Sequence, residues 1–208
     1  MCIRDRDTDY AAVSAALHAR EAKLLTQAMA ERMIDAAAPE ESYKTLLECG
    51  YAPLERCTLE NVEHALSQAR RELYREVSVL APDKRIIELF QVKYDYHNAK
   101  AILKAAAMGT SPDRMLMDMG RIGAAELKTA VESGELDKLP GALPAAVAEA
   151  KSVLDTTRDP QLSDIVLDRW MYRDMAQVAE DTGSQFLRGY VETCLLYTSP
   201  SPRDRSVS

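Results

Sequence analysis

The polar residues whose spacing could support chemistry are concentrated in one helical segment. Asp95 and Asn98 lie three residues apart, so at 100° per residue they share one face of an α-helix with Ile102. Most other positions on this segment are apolar, and we expect that face to be buried. A buried carboxylate needs hydrogen-bond donors or a cation around it. The pair therefore predicts either a contact site or a polar network that fixes how helices pack, and we favour the network.

The rest of the segment explains why that face should be buried. One narrow stripe is basic and is expected to face water: Lys93, His97, Lys100 and Lys104. Two apolar stripes flank it, one with Leu89, Val92, Tyr96, Ala99 and Leu103, the other with Ile87, Phe90, Tyr94, Ala101 and Ala105. This pattern is typical of a central helix in a bundle. We expect the partner of Asp95 to be backbone N–H groups at another helix's start, or an arginine such as Arg70 or Arg71.

Other reactive residue types do not form a recognisable site. His18, His64 and His97 fall in separate predicted helices without the four-residue spacing of zinc proteases. Cys49 and Cys57 are eight residues apart with no histidine nearby, which matches no zinc motif. The sequence also lacks a phosphate-binding loop, a dinucleotide-binding turn and a nucleophile elbow. We therefore predict no catalytic, cofactor-binding or metal-binding residues.

Charge and hydropathy exclude further classes of function. The 208 residues carry 26 Lys and Arg against 33 Asp and Glu, a formal net charge of -7. Proteins that bind nucleic acid or anionic lipid through bulk charge need clustered basic residues instead. Charged residues also interrupt every apolar run before it reaches the roughly 18 to 20 residues of a membrane span. A partner should therefore offer basic or apolar surface, and no transmembrane segment is predicted.

The elements that position these residues are all predicted to be helical. Ala, Leu, Glu, Met, Lys and Arg dominate, and no segment alternates with a period of two as a strand would. Caps, prolines and glycines predict helices over about 8–37, 42–49, 58–81, 83–108, 111–120, 124–132, 144–156 and 161–181, with another after Gly183. The predicted fold is all-α, with lobes of long and short packed helices.

The two ends differ in character from the sequence between them. Residues 1–6 and 194–208 resemble translated read-through of sequencing-adapter DNA, and we interpret both as sequencing artefacts. The remaining 7–193 then form the helical domain, which we divide into lobes 7–109 and 110–193. Its two cysteines are too few for a disulfide framework, which favours a reducing, cytoplasmic setting.

Several segments resemble one known family. Tyr94-Asp95-Tyr96-His97-Asn98-Ala99-Lys100 resembles a helix of the C subunits of bacterial and archaeal V-type (A-type) ATP synthases, which are relatives of the d subunits of eukaryotic V-ATPases. Four further segments are similar to that family in the expected order: 20–25, 120–127, 167–168 and 186–192. The resemblance makes Tyr94, Asp95, His97 and Asn98 a candidate structural motif.

The resemblance implies a fold and a mechanical role. Family members are three-lobed helical funnels that seat on the cytoplasmic face of a membrane rotor ring and receive the central shaft. They transmit torque and do no chemistry. This sequence stops where a second aspartate-asparagine helix would be expected, so the resemblance implies an incomplete pseudo-threefold funnel.

The function implied is that of a non-catalytic central-stalk subunit, which couples shaft to ring. The parent complex would move protons or sodium ions and synthesise or hydrolyse ATP, with this chain peripheral to the membrane. An alternative is a helical adaptor or scaffold unrelated to ion transport. A third interpretation is an all-helical enzyme whose site lies in missing sequence.

Overall fold

A computed structural model describes residues 9–198, and these contain only helices, turns and irregular backbone. The all-α prediction is confirmed. Two compact units divide the chain between Pro82 and Asp83. This division differs from the predicted boundary at 109/110, because the third predicted long helix packs with the helices that follow it.

In its described part, from residue 9 onward, the first unit contains four helices. They are α1 (Ala11–Glu21), α2 (Gln27–Asp35), α3 (Pro39–Glu48) and α4 (Leu59–Leu80). The single helix predicted over 8–37 is wrong, because the chain breaks between α1 and α2. Thr26 adopts extended backbone there, and its hydroxyl oxygen accepts a hydrogen bond from the Met29 N–H at 3.3 Å. A threonine that caps a new helix in this way ends the old one.

Two end signals in the first unit are confirmed. Thr58 caps α4 through a 3.2 Å hydrogen bond from the Asn61 N–H to its hydroxyl. Gly50 follows α3 with φ at +89°, the left-handed conformation that a C-terminal glycine supplies without steric cost. The start of α3 at Pro39 is earlier than predicted, with proline in the first turn where its missing N–H costs nothing.

The second unit is built around one central helix. Its helices are α5 (Arg85–Met108), α6 (Ala124–Ser133), α7 (Leu143–Thr157), α8 (Pro160–Thr182) and α9 (Gln185–Thr198), with a 3₁₀ turn over Leu136–Lys138. Helix α5 packs against α6, α7 and α8. Leu89, Val92 and Tyr96 on α5 are completely buried in the apolar cluster that these helices share. The prediction of a central helix is confirmed.

The segment between α5 and α6 departs from the prediction. No helix forms over 111–120, although Ser111-Pro112 and Gly120 gave the signals of one. Residues 109–123, which we call the α5–α6 connection, are irregular because polar side chains of α5 bind their backbone, as described below. Gly109 ends α5 with φ at +64°, as predicted.

The tail prediction is only partly within the described residues. Helix α9 runs through Thr198 and so continues past residue 194, where the artefact was expected to begin. Residues 1–6 and 199–208 of the predicted artefacts lie outside the described part of the chain. Within the described part, no helix combines the length and the apolar character that crossing a bilayer requires.

Candidate functional site: a buried polar cluster on α5

Asp95 is completely buried on α5, as predicted. Its Oδ1 accepts hydrogen bonds from the backbone N–H groups of Arg121 at 2.9 Å and Ile122 at 3.4 Å. Its Oδ2 accepts from the Arg121 side chain, with Nε at 2.7 Å. The expectation of backbone donors near another helix's start is met, since these residues lie three and two positions before Ala124, the first residue of α6. The arginine is Arg121, so the suggestion of Arg70 or Arg71 is wrong.

Arg121 also reaches α8. Its Nη2 lies 2.7 Å from Asp174 Oδ2 and its Nη1 lies 3.2 Å from Asp174 Oδ1, a two-point contact that fits the planar guanidinium. The Tyr96 hydroxyl donates to Asp174 Oδ2 at 3.2 Å. One side chain from the connection thus joins α5 to α8. We call Asp95, Tyr96, Arg121 and Asp174 the Arg121 cluster.

Asn98 holds the middle of the connection. Its Nδ2 donates to the Met117 carbonyl and its Oδ1 accepts from the Met117 N–H, both at 2.8 Å. These two bonds satisfy the backbone N–H and carbonyl of Met117, as pairing with a neighbouring β-strand would. They also explain why no helix forms there, because a helical Met117 would direct its N–H and carbonyl along the helix axis.

Two further α5 side chains contact the connection. His97 is exposed, and its Nε2 lies 3.0 Å from the Met115 carbonyl, which can only accept, so Nε2 carries the proton. Gln91 Nε2 donates to the Gly120 carbonyl at 3.4 Å. The connection is therefore bound by α5 side chains at several points between Met115 and Ile122.

Tyr94, the first residue of the predicted motif, has a different environment. It is half-buried, and its ring lies 5.0 Å from the Lys93 ammonium on the same helix. This distance is within the range of a cation–π contact. Asp95, His97 and Asn98 are thus the three motif residues that the structure brings together on the connection.

Two glycines leave room for the cluster. A Cβ at Gly120 would lie 2.1 Å from Asp95 Oδ1, closer than side chains approach. At Gly141, which precedes α7 and has φ of +59°, a Cβ would lie 2.7 Å from Asp174 Oδ1 and 3.0 Å from Arg121 Nη1. Close approach of backbone on both sides excludes any larger residue and seals the cluster.

Burial and pairing shift the pKa values of the cluster in physically distinct ways. Burial raises the pKa of Asp95 above its ordinary value, and the hydrogen bonds and charge of Arg121 oppose that rise. Burial and the neighbouring Asp174 raise the pKa of Tyr96, so its hydroxyl remains a neutral donor. For Arg121 burial acts to lower the pKa, but the hydrogen bonds and charges of Asp174 and Asp95 outweigh it and keep the guanidinium charged.

Two of the four residues in the predicted basic stripe on α5 are exposed, and two are not. Lys93 and His97 are exposed, as predicted, but Lys100 and Lys104 are half-buried against α8. Lys100 Nζ lies 2.5 Å from Asp168 Oδ1, and Lys104 Nζ lies 2.5 Å from an oxygen of Asp164. The predicted exposure of Lys100 and Lys104 is wrong because the spacing of lysines along one helix does not show whether carboxylates on another helix face them.

Two cavities lie apart from the cluster. An open cavity of about 800 Å³ lies between the connection and α6 and is lined by Asp113, Asp118 and Glu126 among others. Another of about 510 Å³ lies in the first unit beside Tyr43 and Cys57. Neither is lined by cluster residues. Within residues 9–198, no three His, Cys, Asp or Glu side chains converge as metal ligands.

The chain is similar to known proteins along most of its length. Residues 13–195 match the family described as ATP synthase (C/AC39) subunit. The C subunit of the V-type sodium ATPase of Enterococcus hirae is 23% identical over 176 residues, which cover 84% of this chain and 54% of that protein. The C subunit of the A-type ATP synthase of Methanocaldococcus jannaschii is 24% identical over 204 residues, 89% of this chain and 51% of that protein.

The chain therefore spans about half the length of these curated relatives. The matched range 13–195 contains the α5 motif, the connection and all four residues of the Arg121 cluster. This extent, across both compact units, identifies the chain as a member of the ATP synthase (C/AC39) subunit family.

Proposed function

We propose that this chain is a non-catalytic rotor component of a V/A-type rotary ATPase, which joins the central shaft to the membrane rotor ring on the cytoplasmic face. The family match over residues 13–195 is the observation that carries this proposal. The two curated relatives are named as C subunits, one of a sodium ATPase and the other of an ATP synthase. The ion moved and the direction of ATP turnover follow from the parent complex.

The second unit has properties that suit a mechanical coupler. Helix α5 has 24 residues and α8 has 23, so at 1.5 Å per residue each is a rod of roughly 35 Å. The Arg121 cluster and the two lysine–aspartate pairs connect these rods at several levels. Close-packed interiors have low compressibility and transmit strain, so a force applied at one end would reach the other with little deformation.

The cluster itself favours a structural over a chemical role. Its carboxylates and guanidinium contact one another, Tyr96 and backbone N–H groups, and all are nearly inaccessible to solvent. A catalytic group must reach a substrate within hydrogen-bond distance. Helices held in fixed positions by satisfied polar contacts are what a mechanical coupler requires.

A binding experiment with the complete chain tests the proposal. The tagged 208-residue chain is mixed separately with detergent-solubilised rotor ring and with shaft subunits of a V/A-type ATPase. We expect it to be retained on the ring, the shaft or both. ATP hydrolysis by the chain alone is measured in parallel and should equal that of buffer.

The matched control is an unrelated acidic helical protein of similar size, carried through the same steps. Retention of the control to the same extent would indicate that charge alone is responsible. Failure of the chain to bind either component, while a full-length C subunit of the same complex binds both, would contradict the proposal and favour the adaptor interpretation. Intrinsic ATP turnover would contradict it as well.

A further inference from the structure

The Arg121 cluster contains more negative than positive charge. Two carboxylates, Asp95 and Asp174, share a single guanidinium, and the exposed fractions of the three side chains are 0%, 5% and 9%. With both carboxylates and the guanidinium ionised and Tyr96 neutral, the buried cluster carries one uncompensated negative charge. Transfer of an unpaired charge from water to a protein interior is costly, so such a cluster needs either compensation or a proton.

Within the described part of the chain, the elements around the cluster supply no second cation to it. Helix α5 contributes Asp95 and Tyr96, the connection contributes Arg121, and α8 contributes Asp174. The charged groups that act on Tyr96 are Asp174, Arg121 and Asp95. Arg121 is therefore the cation on which both carboxylates depend.

The other groups near these helices do not change that balance. Helices α6 and α7 add apolar side chains such as Leu127 and Leu143 to the core around Tyr96. The lysines farther along α5, Lys100 and Lys104, are paired with carboxylates of α8 outside the cluster. The excess negative charge thus has to be offset within the cluster itself.

Neutral donors offset part of the excess charge. The backbone N–H groups of Arg121 and Ile122 donate to Asp95, and the Tyr96 hydroxyl donates to Asp174. Hydrogen bonds to a carboxylate favour its charged form, whereas burial and a second carboxylate across the same guanidinium favour the protonated form. Because both carboxylates contact Arg121, a change in the charge of one alters the electrostatic balance around the other.

We propose that the Arg121 cluster takes up one proton per molecule as the pH falls from neutral, and that this proton strengthens the joint between α5, the connection and α8. The inference is independent of the proposed rotor function, since it concerns only the charge balance inside the second unit. The upward direction of the pKa of Asp95 is consistent with it.

The sign of the effect on stability follows from linkage. A carboxyl group with a higher pKa in the folded than in the unfolded chain binds its proton more tightly when folded. Its contribution to the free energy of unfolding is fully present below the unfolded value of about 3.9 and is lost as the pH rises through the folded value. Mild acid should therefore strengthen this joint, whereas ordinary salt-bridged carboxylates weaken in acid.

Carbon-13 NMR of the side-chain carboxyl groups of the complete chain tests the proposal. We expect the Asp95 signal, assigned through variants, to titrate at a pH above the ordinary value of about 3.9. In Asp174→Asn the excess charge is gone, so the titration midpoint of Asp95 beside Arg121 should fall below its wild-type position. In Lys100→Met, a half-buried lysine outside the cluster, the midpoint should stay unchanged.

A conservative variant keeps the test informative if Asp174→Asn does not fold. Tyr96→Phe removes one hydroxyl donor to Asp174 and preserves the ring, so the cluster should bind its proton at higher pH. A purely structural role for Tyr96 would leave the midpoint in place. The proposal is overturned if both cluster aspartates of the wild type titrate at or below the ordinary value. It is also overturned if neither Asp174→Asn nor Tyr96→Phe moves the midpoint.

Discussion

Arg121 connects three segments of the second unit that are far apart in sequence. Its backbone N–H and its side chain bind Asp95 on α5, and its guanidinium binds Asp174 on α8, 53 residues later. At the Arg121 cluster, α5 and α8 each contribute a carboxylate, so the two helices have no opposite charges of their own to pair there. The guanidinium is therefore what permits two buried acids to lie together.

Arg121→Met should strongly destabilise the chain, because two carboxylates would lose their cation while remaining buried. Removal of one partner from a buried ion pair costs about 3–5 kcal/mol. Arg121→Lys keeps the charge but cannot contact both oxygens of Asp174, so its loss should be smaller. Urea unfolding at neutral pH measures both values.

The control for that series is Arg114→Met, which alters an exposed arginine in the same connection. It should change the free energy of unfolding by less than about 0.5 kcal/mol, the usual range for surface substitutions. Equal losses for Arg114→Met and Arg121→Met would show that the cluster contributes nothing specific.

Gly120→Ala should also destabilise, for a steric reason. The added Cβ would lie 2.1 Å from Asp95 Oδ1, so either the connection or the buried carboxylate must move. Gly189→Ala on α9 is the matched control, since a Cβ there meets nothing within 4 Å and the position is helical. The control should stabilise by about 0.5–1 kcal/mol through helix propensity. Thermal unfolding of both variants gives the comparison, and a stabilising Gly120→Ala would refute the close approach.

Sequence reasoning located the part of this cluster that lies on α5 but neither Arg121 nor Asp174. The spacing of Asp95 and Asn98 on an otherwise apolar segment predicted their burial, because helical periodicity is a local property. Arg121 was missed because it is 26 residues from Asp95 and is surrounded by turn residues with no periodicity. Asp174 was missed for a similar reason, since α8 carries several carboxylates and only packing selects the one that faces α5.

At the scale of elements, helix ends were easier to predict than helix continuity. Glycine and threonine signals at Gly50, Thr58 and Gly109 gave correct ends, because each acts through its own backbone conformation or side chain. The break before Thr26 was missed, since its capping role depends on the chain leaving the helix first. The false helix over 111–120 shows the converse, in which contacts from α5 override local signals.

Asn98→Ala should loosen the connection while α5 remains folded. The two 2.8 Å hydrogen bonds between the buried Asn98 side chain and the backbone of Met117 are lost, at a net cost of about 0.5–1.5 kcal/mol for each bond. Hydrogen exchange measured by mass spectrometry should therefore increase in peptides from residues 109–123 and stay slow in the centre of α5. Exchange that rises equally along α5 would mean that Asn98 supports the whole unit instead.

His97→Ala provides the comparison for that experiment. His97 also bonds the connection, at the Met115 carbonyl, but it is exposed, so water can replace the lost donor. Its effect on exchange should be small. If His97→Ala matched Asn98→Ala, burial would not be what gives the Asn98 contacts their importance.

At the scale of the whole molecule, burial is divided unequally between the two units. Among the described residues, four apolar side chains of the first unit are buried, against 27 of the second. The all-α class and the central position of α5 could be predicted, since composition and periodicity decide them. The unequal burial of the two units could not be predicted, because helical periodicity identifies an apolar face but does not indicate whether another element packs against it.

The exposed apolar residues of the first unit lead to a prediction about self-association. Ile34, Leu59 and Val79 are 81%, 77% and 78% exposed, on α2 and at the two ends of α4. Apolar surface left in water favours association, so the purified chain, like residues 7–193 alone, should exceed its monomer mass of 23.1 kDa as its concentration rises. Light scattering coupled to size-exclusion chromatography measures this.

Two variants test whether the surface that causes self-association lies in the first or the second unit. Replacing Ile34, Leu59 and Val79 together by glutamine should lower the mass toward the monomer value, since polar side chains at those positions remove the gain from burial. Phe186→Gln removes an equally exposed aromatic from α9 in the second unit, 77% exposed, and should leave association unchanged. If Phe186→Gln alone lowered the mass to that of the monomer, the surface that causes self-association would lie in the second unit. A wild-type chain that stays monomeric at all concentrations and unfolds in one cooperative step would contradict this prediction. The exposed apolar residues of the first unit would then need no partner surface, and its few buried side chains would be sufficient to stabilise it.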